Sequence, residues 1–161
     1  MAATLQFSES NTSGESVRDN IANINFGNID NYEIVPASNP INAGENSFEK
    51  YIRLKFGGTG WIEISNVKLW KSSGDYVTGE TIKAAANQTF DTPSASTSSK
   101  AISNIPTTLG TALSIQSTEV DPTKFTTPGY SKYIVLQTQT TISTPSGAGN
   151  QKVITVQYNE T

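Results

Sequence analysis

Period-two alternation is strongest between Tyr51 and Trp70, in YIRLKFGGTGWIEISNVKLW. Ile52, Leu54 and Phe56 fall on one side and Tyr51, Arg53 and Lys55 on the other, the pattern of a strand with one wet face. Gly57, Gly58 and Gly60 then supply a reversal at positive φ, so the stretch predicts a hairpin with Trp61 opening its second strand. In that second strand Ile62 and Ile64 share one phase, while Val67 and Leu69 share the opposite one. A bulge or bend at Ser65 and Asn66 would return both pairs to one core.

The same pattern places the other elements. Leu5 and Phe7 alternate in a short opening strand, and a polar loop follows over residues 8–16. Val17, Ile21 and Ile24 have helical spacing, but Phe26 and the intervening Asn residues break it, so irregular chain is expected. Residues 28–46 carry Pro36, Pro40 and Gly44 and read as consecutive turns forming a candidate contact surface. Residues 76–85 predict an edge strand weakened by Gly79, and residues 87–100 an exposed Ser/Thr-rich loop or arm. Ile102, Ile105, Leu109, Leu113 and Ile115 follow around Pro106 and Gly110, and the last two fit a short strand. Residues 133–141 predict a central strand, apolar on both faces at its start. Residues 152–159 are expected to pair back on it as a closing hairpin.

Together these elements predict an all-β chain, a single β-sandwich or jelly-roll-like domain with long loops, a small closed barrel being the alternative. The expected division is an N-terminal arm or edge segment, 1–16, and a sandwich domain, 17–161. The expected core is Ile52, Leu54, Phe56, Ile62, Ile64, Val67, Leu69, Ile134, Leu136, Ile154 and Val156.

Composition supports the β reading. Ser and Thr fill roughly a quarter of the 161 residues, a bias that suits strands and turns and starves helices of good formers. A net charge of −3 with scattered basic residues argues against a nucleic-acid partner. No apolar run is long enough to span a membrane and the first residues do not read as a signal peptide, so neither a membrane partner nor signal-directed export is expected.

Candidate chemistry is sparse. The chain has no His and no Cys, which excludes a Ser-His-Asp triad, a thiol nucleophile and disulfides. Ser47 with Lys50 and Ser65 with Lys68 match Ser-x-x-Lys, but serine acyl enzymes place that motif on a helix, and Ser65 begins a predicted strand. Glu119 with Asp121 and Asp30 with Glu33 are the nearest carboxylate pairs for glycoside chemistry. Asn28, Asp30, Asn31 and Glu33 offer oxygen ligands of the kind calcium accepts, without the spacing of an EF-hand loop. Turn chemistry is the commoner use of all these residues. The glycines at 57–60 are not followed by the Gly-Lys-Ser/Thr of a phosphate loop. Tyr51, Trp61, Trp70 and Tyr76 could stack on sugars if exposed together, whereas buried rings would serve packing. Asn11, Asn87 and Asn159 begin Asn-x-Ser/Thr triplets. No catalytic, cofactor-binding or metal-binding residue is assigned.

The progression NINFGNID, ASNPINAGENSFEKYIRLKF, ISNVKLWKSSGDYVTGETIKAA, IPTT and KVITVQYNE, with Asn66, Trp70, Lys71, Ser72, Ser73 and Gly74 at its centre, resembles small virion structural proteins of tailed bacteriophages. The likeness covers most of residues 20–159. It implies a non-enzymatic particle component assembled in the host cytoplasm, a head decoration or cement protein or else a tail or baseplate subunit. Its partners would be the major capsid protein or other virion subunits, and its own copies in a homo-oligomer. A carbohydrate-binding sandwich is the reading from another class. Leu5, Phe7, Pro36, Pro40 and Phe90 are the expected interface residues, with the N-terminal segment laid on a neighbour by strand addition.

Overall fold

The computed structural model describes residues 2–96, 100–101, 103–147 and 149–161. Two antiparallel sheets pack face to face, and the fold is an all-β sandwich. The larger sheet contains β1 (Thr4–Asn11), β2 (Ser16–Asp19), β3 (Lys50–Gly57), β5 (Thr81–Gln88), β6 (Ser103–Asn104), β9 (Gly129–Tyr130) and β10 (Tyr133–Gln139). Its order is β2-β1-β3-β10-β5-β6, with β9 continuing alongside β3. The smaller sheet runs β11 (Val153–Glu160), β4 (Ile64–Ser73), β7 (Leu113–Ser114), with β8 (Lys124–Phe125) also on β4.

Neither expected hairpin forms. β3 pairs with β1, β9 and β10, whereas β4 pairs with β11, β7 and β8. The turn at Gly58 (φ 87°) and Gly60 (φ 92°) therefore carries the chain from one layer to the other. The loop between β10 and β11 makes the same crossing. A strand with one apolar face can bury it against the facing sheet, which pairing side by side within one sheet would not achieve.

Between the layers lie Ile52, Leu54, Phe56, Ile64, Val67, Leu69, Ile134 and Leu136, all buried, with Ile154 and Val156 packed against them. Ile82, Ala84, Ile105, Ile115 and Phe125 complete the core. The phase slip in β4 is a bulge. Lys68 pairs with Gln157 and Ser65 with Asn159, so β4 spends one residue more than β11, and Asn66 adopts φ 51°. Ile62 is a correction to the expected core. It precedes β4, its N–H donates to the Thr161 carbonyl at 2.5 Å, and its side chain is 78% exposed.

Residues 4–16 do not project as an arm but lie at one edge of the larger sheet. β1 aligns with β3 from Thr4 to Ser10 and lies between β2 and β3. Leu5 and Phe7 are half-buried and pack against this chain's own core. The expected strand at residues 76–85 starts later, at Thr81, because Gly79 (φ 77°) sits in a turn closed by Glu80 N–H on Val77 O at 3.0 Å. It is flanked by both β10 and β6, so it is not the sheet edge.

The face of β3 expected to be wet is covered too. Tyr51 is 1% exposed and forms a second cluster with Ala101, Tyr133 and Val135, against which Phe90 packs. The expected Ser/Thr-rich arm supplies this cover. Pro93 is buried, Glu49 N–H donates to Ser94 O at 3.0 Å, and Gln137 Nε2 donates to Ser96 O at 2.9 Å. Thr97, Ser98, Ser99 and Ile102 of the expected elements lie outside the described residues.

Leu54→Ala is expected to cost about 2–5 kcal/mol of unfolding free energy, because it empties a fully buried site between the sheets. Ile62→Ala should stay within about 0.5 kcal/mol, as at other exposed positions. Urea unfolding of the two variants checks the contrast. Equal losses would place Ile62 back in the core.

Candidate interaction surface

The Ser-x-x-Lys pairs and the nearest carboxylate pairs make hydrogen bonds within turns, loops and strands. Lys50 Nζ donates to Glu9 Oε1 at 2.7 Å and to Asn31 O at 2.5 Å, while Ser47 Oγ donates to Phe48 O and accepts from Thr138 N–H. Lys68 Nζ donates to Ser114 Oγ at 2.5 Å from a strand rather than a helix. Neither Ser-x-x-Lys pair points nucleophile at base in this arrangement.

The carboxylates behave alike. Glu119 accepts the N–H groups of Thr126 and Thr127 at 2.8 and 3.0 Å and both their hydroxyls. Asp121 accepts the N–H and hydroxyl of Thr123. Asp30 accepts Asn11 Nδ2 at 2.7 Å and Thr12 N–H at 2.6 Å, which ties the connection after β2 to the end of β1. Asn31 Oδ1 accepts the Glu33 N–H in an Asx turn. Among the described residues no group of three or more Asp or Glu side chains is placed to hold a metal ion.

The aromatic rings also pack. Tyr51, Phe90 and Tyr133 form one set of edge and tilted contacts, with centroids 5.1–5.9 Å apart. Phe56, Phe125 and Tyr158 form another. Trp61 is half-buried and donates its indole N–H to Gly57 O at 3.1 Å. Trp70 is half-buried. Tyr76 is half-buried against the core between the Lys71 and Lys152 ammonium groups, 4.8 and 5.4 Å from its ring. The four rings do not meet in an exposed sugar-stacking platform. Asn11 is buried, and Asn87 donates to Ser114 O while accepting the Gln116 N–H, so two of the three Asn-x-Ser/Thr asparagines are engaged in the fold.

Beside the covered part of β3 lies a cluster that alternation alone does not announce. The Arg53 guanidinium sits 4.3 Å from the Tyr130 ring centroid and 4.6 Å from that of Tyr133, and 3.6 Å from Glu15. Tyr133 donates its hydroxyl to Glu15, and Tyr130 donates to Asp19. Lys55 completes it with a 2.5 Å bond to Asp19. The ring placements depend on β9 and β10 lying beside β3, a pairing distant in sequence.

One exposed surface is formed by residues 28–46 and their contacts. Of the expected interface residues Pro36 and Pro40 are exposed there, whereas Leu5, Phe7 and Phe90 are turned into the fold. Val35, 59% exposed, opens the turn closed by the Ser38 and Asn39 N–H groups on its carbonyl. Ile142, 91% exposed, lies against Gly44, whose N–H donates to Thr140 Oγ1 at 3.0 Å. A shallow cavity of about 370 Å³ is lined by Asn28, Gly44, Glu45, Asn46 and Ala95. Val35 and Ile142 were legible only as apolar residues stranded in polar loops.

Several carboxylates sit below their ordinary range. At Asp19 burial pushes upward, and the bonds from Lys55, Ser8 and Tyr130 more than reverse it. At Glu119 burial is likewise outweighed by the donors of Thr126 and Thr127, while Thr123 lowers Asp121. A carboxylate depressed by folding contributes stability that is complete above its unfolded pKa of about 4 and is lost as pH falls through the folded value. With no histidine, the melting temperature should be nearly level from about pH 5 to 8 and fall below about pH 4. Thermal unfolding across that range checks it. A transition near pH 6 would contradict it.

The chain matches no model of a known protein family, no curated protein and no solved structure.

Proposed function

We propose that this protein is a non-enzymatic structural subunit of a tailed-bacteriophage particle, bound to the head surface as a decoration or cement protein. The observation that carries the proposal is the use of its reactive side chains. Glu119, Asp121, Asp30, Lys50 and Lys68 are all committed to turns, loops or neighbouring strands, and the surfaces around them are shallow. Such surfaces suit repeated, multivalent attachment, in which modest contacts become durable by number. The strand and turn texture from NINFGNID to KVITVQYNE supports the same reading. Partners on this view are the major capsid protein or other virion subunits, and the location is the virion.

Attachment is assigned to the exposed face of residues 28–46 with Ile142. Val35→Asp and Ile142→Asp should each lower occupancy on particles while leaving stability within about 0.5 kcal/mol, since both positions are exposed. Electron microscopy of particles assembled with wild-type, variant or no protein reads occupancy and location together. Density at the tail would move the assignment to a tail or baseplate subunit. Absence of the protein from purified particles would overturn it.

A further inference from the structure

We infer that β11 is a self-association edge, and that two copies of this chain join their smaller sheets across a two-fold axis at Gln157. The inference stands apart from the virion reading. It rests on which way the backbone of β11 faces.

In an antiparallel strand the N–H and C=O of one residue point to the same side, and the side alternates along the chain. Lys71 N–H donates to Pro106 O, and Val67 O accepts from Ile115 N–H, so Val67 and Lys71 face away from β11. Lys68 and Trp70 therefore face β11, where their partners are Gln157 and Thr155. Thr161 exchanges both bonds with Glu63 and also faces inward. Ile154, Val156, Tyr158 and Glu160 consequently aim their N–H and C=O groups off the open edge. Among the described residues β11 pairs only with β4, and no strand covers that side.

This edge is unlike the others. β6, β7 and β8 are two residues long, and the four-residue β2 carries Arg18 and Asp19. β11 has eight residues, VITVQYNE, with no Pro, Gly or Lys and a single charge at its end. The register shifts of its pairing place the extra residues on β4, so β11 itself is regular. Long, uncharged, regular edges are templates for another strand.

The occupant is argued from symmetry. The outward residues 154, 156, 158 and 160 are arranged evenly about Gln157, so an antiparallel second copy pairs Val156 with the other Tyr158 and Ile154 with the other Glu160. Every outward group then finds a partner. The inward side chains of Ile154, Val156 and Tyr158, packed on the core, stay on one face in both copies and continue the apolar layer. Glu160 meets Ile154 rather than another carboxylate. Gln157, exposed and on the outer face, meets itself.

Sedimentation velocity of the full chain over about 1–100 μM should show a reversible dimer. Gln157→Lys and Gln157→Glu each place like charges opposite one another and should weaken it on the order of threefold to fivefold, while an equimolar mixture of the two restores association. Circular dichroism confirms that both variants keep the fold. A chain that stays monomeric throughout, or a dimer unmoved by either charge and by their mixture, would overturn the inference.

Discussion

A buried ion pair joins three parts of the molecule that are far apart in sequence. Glu9 on β1 and Lys50 on β3 meet at 2.7 Å with both side chains fully buried. They lie on the inner face of the larger sheet, just beyond Ile52, where the connection between β2 and β3 closes over the sheet. Lys50 also donates to Asn31 O, and Asn11 Nδ2 bridges Glu9 to Asp30. The network decides how residues 28–34 return over the sheet, because a buried ammonium needs its acceptors where it is. Such a pair need add little net stability over an apolar substitute, yet either charge left alone is costly. Among the described residues Glu9 Oε2 meets no hydrogen-bond donor. The pair's strength is in specifying one arrangement of β1, β3 and the connection.

From that anchor follows an economy of polar groups throughout the chain. Lean in apolar residues, the protein closes its two faces of β3 differently. One meets the smaller sheet through aliphatic and aromatic side chains, and the other is roofed by residues 90–96 and Ala101, with Ser94 and Ser96 held by Glu49 and Gln137. Hydroxyls and amides stand in for bulk at Ser47, Ser117, Ser131 and Gln137, which are buried and bonded to backbone. The same usage explains why the chemistry-bearing residues do not converge. Glu119, Asp121 and Asp30 are each the fixed acceptor of a turn or a strand end.

The strands at 52–56, 64–69 and 134–136 were legible because alternation is a local signal. The bulge at Asn66 was legible for the same reason, as a slip in that alternation. Pairing was not legible. The glycines at 57–60 announce a reversal, but local chemistry does not tell whether the chain folds back beside β3 or crosses to the facing sheet. β1 looked like an arm because Leu5 and Phe7 are its main apolar residues, and its fit beside β3 depends on Glu9 finding Lys50. Ile62 was misplaced because alternation counts it in phase with Ile64, whereas its backbone is held by Thr161 outside the strand. The expected interface residues differ in exposure for a related reason. Pro36 and Pro40 lie in turns that local rules read well, while Leu5, Phe7 and Phe90 are covered by segments distant in sequence.

The central claim is that the Glu9 and Lys50 charges are tolerated in the interior only together. A double-mutant cycle of Glu9→Met, Lys50→Met and the double substitution tests it most directly by equilibrium unfolding. Each single change should cost about 3–5 kcal/mol, and the double change should recover most of that loss because no charge is left buried alone. Additive losses, with the double variant as unstable as the sum of its parts, would contradict the account.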